Sequence, residues 1–214
     1  MTEQWQVLVP IKRLSMAKTR LAADPEVRRD LALAMALDTL AVVQGACRVE
    51  GLWVVSADCH VRAAVKALGI ELVDEPGSTQ KDSLNAALSA GLRAIDELRS
   101  QQHVAIVTAD LPAMNGDDLD QLLESGLGHR RAVVADRNGS GTTVLTGPDA
   151  HSVDPQFGRN SLARHLAAGA VRLDAGEGLR LDVDTPDDLV TALLLGVGPR
   201  TYELAMRHRL GVVN

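Results

Sequence analysis

Short apolar runs alternate with segments of helical periodicity along almost the whole chain, and that alternation confines it to an α/β fold with a mostly parallel central sheet flanked by helices. The runs are Gln6 to Pro10, Leu52 to Ser56, Ile70 to Val73, Val104 to Thr108, Ala132 to Ala135, Thr142 to Leu145 and Val171 to Leu173. Val104 to Thr108 is unbroken, as a central strand covered on both faces must be. Between the runs, Asp24 can cap a helix that has Pro25 at its first position, and Val27, Leu31, Ala34 and Met35 recur at helical spacing. Val61 to Leu68 reads as a second helix, and Leu84, Leu88, Leu92 and Ile95 define a third by their spacing. A polar loop, Asp74 to Asp82, precedes that third helix. Further helices are expected near Asp117 to Glu124, from Ser161, over Thr185 to Leu195 and from Pro199. No internal repeat, low-complexity segment or Pro/Gly-rich linker divides the 214 residues, so a single domain over residues 1–214 is expected.

Composition narrows the partners. Aromatic residues make up only 2% of the chain, so the core is built from Ala, Leu and Val, and stacking on bases has little to work with. A formal net charge of −6 argues against a nucleic-acid partner, whose phosphates want a basic face. The N-terminal residues have no charged segment followed by an apolar one, and no apolar run approaches membrane-spanning length, so a cytoplasmic protein without membrane contact is expected. Cys47 and Cys59 are too few and too isolated for a disulfide framework or a zinc site and read as small inert hydrophobes. None of the six histidines pairs with another at ligand spacing, which leaves each a surface or packing role.

Open α/β sheets bind ligands at the carboxyl ends of their strands, and three such places carry chemistry. After the first strand, Lys12, Arg13, Lys18 and Arg20 put four cations and no anion into nine residues of an acidic protein. Such a loop is either a solvated surface or a cradle for a polyphosphate. It contains neither of the common glycine-rich nucleotide fingerprints, which argues against a dinucleotide dehydrogenase and a P-loop kinase. After the central strand comes Asp110-Leu111-Pro112, where Asp110 either caps the following segment or meets a cation such as Mg²⁺. Near the C-terminus, Asp182 and Asp184 would point to one side of an extended Leu181 to Val183, as a pair to share a metal with Asp110. Alternatively Asp184 or Thr185 caps the next helix, with Asp187 and Asp188 enriching its first turn.

Two polar stretches add hydroxyls and glycines, Asp136-Arg137-Asn138-Gly139-Ser140-Gly141-Thr142-Thr143 and Phe157-Gly158-Arg159-Asn160-Ser161. Each is an ordinary turn on its own. Beside a metal site they suit an anionic small molecule, bound through backbone N–H and O–H donors and a helix start at Ser161.

In their order and spacing these motifs resemble one family, the 2-phospho-L-lactate and phosphoenolpyruvate guanylyltransferases of coenzyme F-420 biosynthesis, in particular its actinobacterial phosphoenolpyruvate branch. The similarity runs over nearly the whole chain: Val9-Pro10-Ile11-Lys12-Arg13 with Lys18-Thr19-Arg20-Leu21, Asp110-Leu111-Pro112, Asp136-Arg137 with Gly139 to Thr142, Phe157-Gly158 with Ser161, Ala163-Arg164-His165, and Asp182-Val183-Asp184-Thr185-Pro186. The resemblance implies a single-domain, Rossmann-like nucleotidyltransferase fold of the GT-A-like type. It implies that Asp110 and Asp182 hold Mg²⁺, beside which Asp184 stays a candidate from its place next to Asp182, and that Thr142, Gly158 and Ser161 bind phosphoenolpyruvate. Broader relatives have a glycine-rich first loop, whereas the loop here has no glycine, which shifts the GTP phosphates onto Lys12, Lys18 and Arg20.

The reaction implied joins GMP from GTP to the phosphate of phosphoenolpyruvate, giving enolpyruvoyl-2-diphospho-5'-guanosine and pyrophosphate. The same chemistry on 2-phospho-L-lactate or 3-phosphoglycerate is the near alternative. A metal-dependent glycosyltransferase, with Asp182-Val183-Asp184 as its Asp-x-Asp, and a non-catalytic nucleotide-binding module are the distant ones. The C-terminal helix, with Tyr202, Met206 and Leu210, leaves internal packing and a homodimer both open.

Overall fold

A computed structural model describes residues 3–16, 18, 20–21, 24–75 and 83–211. Residues 76–82 of the expected polar loop, and Thr19 of the basic loop, lie outside the described residues. Strands β1 (Trp5–Pro10), β2 (Val49–Val55), β3 (Glu71–Val73), β4 (His103–Val107), β5 (Ala132–Ala135), β6 (Thr142–Gly147) and β7 (Val171–Leu173) form one sheet in the order β3-β2-β1-β4-β6-β5-β7. Strand β6 runs antiparallel to both neighbours, and the other pairings are parallel. The reversal follows from the short turn between β5 and β6, which leaves no room for a crossover helix.

The helices are α1 (Pro25–Gly45), α2 (Cys59–Ala67), α3 (Ser83–Leu98), α4 (Gly116–Gly126), α5 (Ser161–Ala167), α6 (Glu177–Arg180), α7 (Pro186–Leu195) and α8 (Pro199–Arg207). Alternate residues of β1 serve opposite faces: Val7 and Val9 pack with Leu40, Val61 and Leu119 from α1, α2 and α4, while Leu8 packs with Leu88 and Ile95 of α3 and Leu162 of α5. Asp24 caps α1 as expected, accepting from the Glu26 N–H at 2.8 Å. Two elements depart from the sequence reading. The four-residue α6 is too short to show a period. The stretch around Leu181 is not a strand of the sheet.

A third apolar cluster decides where the C-terminal carboxylates stand. Leu181 and Val183 are sealed into it with Leu31, Met35, Leu189 and Ala192. Buried Asp38 of α1 accepts from the Thr201 N–H at 2.7 Å and so holds the start of α8 against α1. Leu210 packs on this cluster, whereas Tyr202 and Met206 remain exposed. Cys47 and Cys59, read from the sequence as small inert hydrophobes, are both free and exposed. Among the described residues no helix is long and apolar enough to cross a membrane.

Candidate active site

The carboxyl ends of β1, β2, β4 and β5 open on one edge, and β6, running the other way, begins there with Thr142. A cleft of about 340 Å³ lies at this edge, lined by Lys12, Lys18, Arg20, Thr108, Asp110 and Asp184 together with the apolar Ile11, Leu14, Ala36 and Leu84. The basic loop is pinned at both ends: Leu14 is buried, its N–H donating to Asp58 Oδ2 at 2.9 Å, and Leu21 is buried in the third cluster. Backbone bonds from Leu14, Val61 and His60 outweigh the opposing effect of burial and hold the Asp58 carboxyl below its ordinary range. Arg13 is exposed and touches none of this.

Lys18 is the centre of the loop. Its ammonium donates to Asp110 Oδ2 at 2.5 Å and to Asp184 Oδ1 at 2.9 Å, with only 9% of the side chain exposed. Burial works against the charged amine, but the two carboxylates overcome it and raise the Lys18 pKa. Burial likewise opposes the Asp110 anion, and the Lys18 charge outweighs it, so the Asp110 pKa falls. Lys18 holds this position at φ 53°, a left-handed backbone that a side chain with a Cβ enters only at a cost. Arg20 reaches Asp184 Oδ2 at 3.4 Å. Lys18 therefore engages carboxylates, where the sequence had assigned it to phosphates.

Asp110 does not cap α4, because Asn115 does so by accepting from the Asp118 N–H. Asp184 does not cap α7 either; Thr185 and Asp188 form a reciprocal capping box there. Both carboxylates are thus released from helix duty. The Val183 N–H donates to the Asp110 backbone carbonyl at 3.1 Å, which ties the two carboxylate segments together across 73 residues of sequence. Asp182 adjoins the cleft without lining it. Burial first, then the Asp110, Asp184 and Asp136 carboxylates, push its carboxyl up to about 7, with Lys18 opposing.

Whether these residues suit a divalent cation has two sides. Among the described residues no three His, Cys, Asp or Glu side chains form a ready-made metal cage. Yet among the described residues the buried Asp110 Oδ1 has no partner at hydrogen-bond geometry, with the Thr108 hydroxyl the group beside it, Asp182 is crowded by anions, and the donors are all hard carboxylate oxygens. The donor set fits a hard cation, and Lys18 supplies the positive charge between Asp110 and Asp184.

The residues expected to bind the acceptor, Thr142, Gly158 and Ser161, gather separately, outside the lining of the cleft. Ser161 Oγ lies 3.1 Å from Thr142 Oγ1, and the Ser161 N–H donates to the Gly158 carbonyl at 3.1 Å. Gly158 has φ 122°, which favours glycine, and Asn85 of α3 clamps the preceding Phe157 by bonding both its N–H and its carbonyl. Two of the backbone donors at the start of α5 are bonded within the protein, the Ser161 N–H to the Gly158 carbonyl and the Leu162 N–H to the Ser140 carbonyl. Gly141 permits the Asp136 turn, since a Cβ there would stand 2.5 Å from Asp136 Oδ2. Asn85, Asp136 and His165 are the residues here to which the sequence gave no separate role. Only Asp136 and His165 carried a hint, inside the motifs of the resemblance.

A parallel sheet with one reversed strand, a basic loop after β1 and acidic residues after β4 and before α7 is the layout of a nucleotidyltransferase of the nucleotide-diphospho-sugar transferase fold. A structure described as a nucleotide-diphospho-sugar transferase from Desulfovibrio desulfuricans G20 shares that fold with a TM-score of 0.70 at 14% identity, covering 97% of this chain and 96% of its own. Rv0371c from Mycobacterium tuberculosis H37Rv, in a complex with manganese, aligns with a TM-score of 0.56 at 18% identity over 90% of this chain and 99% of its own. Residues 5–213 match the family described as guanylyl transferase CofC like. The phosphoenolpyruvate guanylyltransferase of Streptomyces scabiei (strain 87.22) is 44% identical over 209 residues, 95% of this chain and 97% of that protein. The chain belongs to the CofC-like guanylyl transferase family.

Proposed function

We propose that this chain, as one nucleotidyltransferase domain, transfers GMP from GTP to the phosphate of phosphoenolpyruvate, releasing pyrophosphate, as a step of coenzyme F-420 biosynthesis. The family and the relative's name support the reaction. The observation that carries it is the Lys18 ammonium bridging Asp110 and Asp184 at the mouth of a basic cleft, because it joins a cation-demanding carboxylate pair to a triphosphate-sized basic surface.

Lys12, Lys18 and Arg20 bind the triphosphate, Lys18 exchanging its carboxylates for phosphate oxygens. Asp110 and Asp182, with Asp184, hold Mg²⁺. The bound metal supplies charge neutralisation between the two anionic reactants and at the leaving group. Thr142, Gly158 and Ser161 hold the acceptor. Its phosphate oxygen is already ionised at neutral pH, so it attacks the α-phosphorus directly, and the bond from that phosphorus to the bridging oxygen breaks to free pyrophosphate. No general base is required, and His165, neutral with both ring nitrogens hydrogen-bonded, is not placed to be one.

The test is pyrophosphate release in Mg²⁺, crossing GTP and ATP with phosphoenolpyruvate, 2-phospho-L-lactate and 3-phosphoglycerate. Release is expected with GTP and phosphoenolpyruvate and abolished by chelation of the metal. Equal release with ATP, or none with any of the three acids, overturns the reading.

A further inference from the structure

His165 is wholly buried, lies on α5 behind the acceptor residues and takes no part in the reaction as described. Its two nitrogens have different duties. The Gln156 backbone N–H donates to Nε2 at 2.9 Å, and a backbone amide can only donate, so Nε2 carries no proton. A protonated ring would set an N–H of its own against that amide. Burial and then the neighbouring Arg164 hold the His165 pKa down to about 4, with Asp154 opposing, so the ring is neutral. The single ring proton is therefore on Nδ1, which stands 3.0 Å from Thr142 Oγ1.

This tautomer sets the direction of the hydroxyl pair. With Nδ1–H donating to Thr142 Oγ1, one hydroxyl proton lies between Thr142 and Ser161, 3.1 Å apart, and the other stays unspent whichever of the two donates. With the opposite tautomer Thr142 would donate to Nδ1 and Ser161 to Thr142. Both protons would then be consumed, and the pair would offer an anion nothing but lone pairs. Among the described residues neither hydroxyl has another partner. The Ser161 and Leu162 amides are bonded to the Gly158 and Ser140 carbonyls, so at the Thr142–Ser161 pair it is the unspent O–H that can donate.

We infer that His165 is a positioning residue for the acceptor: held as the Nδ1–H tautomer by the Gln156 amide, it fixes Thr142 and Ser161 as a net donor of one O–H to an anionic oxygen of the phospho-acid. The inference rests on the functional reading above, since it presumes an anionic acceptor beside Thr142 and Ser161.

Two measurements test it. Two-bond proton–nitrogen correlation spectra of the ligand-free wild-type protein, with the His165 signals identified by their absence from His165→Phe, should show a protonated Nδ1 and a bare Nε2 at neutral pH. A protonated Nε2 overturns the inference whatever the substrate proves to be. In steady-state assays His165→Phe should raise the phosphoenolpyruvate KM about tenfold with the GTP KM within about twofold of wild type. His165→Asn, whose amide can still donate near the Nδ1 position, should recover most of that loss, while His165→Gln, which reaches only toward Gln156, should not. Equal rises in both KM values, or no rise in a folded variant, would mean a packing role alone. Wild-type enzyme that uses none of the three acids breaks the functional reading, and with it the assignment of the O–H to an acceptor, while the spectrum still decides the tautomer.

Discussion

The two halves of the sheet edge that carries the candidate site are built on opposite principles. Around Lys18 the protein concentrates charge and leaves it unfinished: an Asp110 oxygen without a well-aligned partner among the described residues, an Asp182 carboxyl lifted to about 7, and a lysine in a left-handed backbone serving two anions. Around Thr142 it does the reverse, with a neutral, buried histidine, hydroxyls bonded to each other and turn amides already spent. Under the proposed function the contrast has a physical sense: a triphosphate and a metal bring their own large charges and suit surplus charge that can be rearranged, whereas a small phospho-acid held in one orientation suits bonds fixed in advance.

The sharpest way to break this contrast is Asp110→Asn. Turnover at saturating divalent ion should fall at least about a hundredfold with the far-ultraviolet dichroism unchanged, and nearly normal activity would remove Asp110 from the metal. Lys18→Met tests whether the charged half is strained without its ligands. It takes the ionic partner from Asp110 and leaves Asp184 with Arg20 alone, and should lower unfolding stability in chelator by about 2 kcal/mol, less than a fully buried broken pair because Asp184 is partly exposed. Divalent ion should then raise its melting temperature more than it raises that of the wild type; an equal gain would mean that Lys18 and the metal do not share a place.

Ser161→Ala probes the hydrogen-bonded half. About a tenfold rise in the acceptor KM is expected with little change for GTP, and a rise confined to GTP would place the acceptor elsewhere. The smallest effect belongs to Asp182→Asn in the absence of metal. A carboxyl whose folded pKa is raised binds its proton more tightly when folded, so its support is present at low pH and is lost as pH rises from about 4 to about 7. The variant should therefore be more stable than wild type by about 1 kcal/mol at pH 8, discounted for partial exposure, with the difference fading toward pH 4. Chemical denaturation at the two pH values checks it, and a constant difference would mean that Asp182 is not crowded.

The α/β layering was legible because it is written locally. Val7, Leu8 and Val9 form an unbroken apolar run within one strand, and Leu84, Leu88, Leu92 and Ile95 return at the period of one helix. Capping was legible only in part: Asp24 was placed correctly, whereas Asp184 and Thr185 could not be separated until the Asp188 side chain was seen to close on Thr185. The exposure of the two cysteines was not legible, because two residues without a repeating partner say nothing about which face they occupy.

The sequence by itself determined the sheet-and-helix order, the strand ends where chemistry collects, and the residue types there, because each depends on neighbours a few positions away. Tertiary structure decided the pairings. Lys18 meets Asp110 and Asp184, 92 and 166 residues on, and the proton of His165 is placed by Gln156 and Thr142, 9 and 23 residues back. An ionic or hydrogen-bond partner is a matter of a few ångströms in space, and only the folded chain sets that distance.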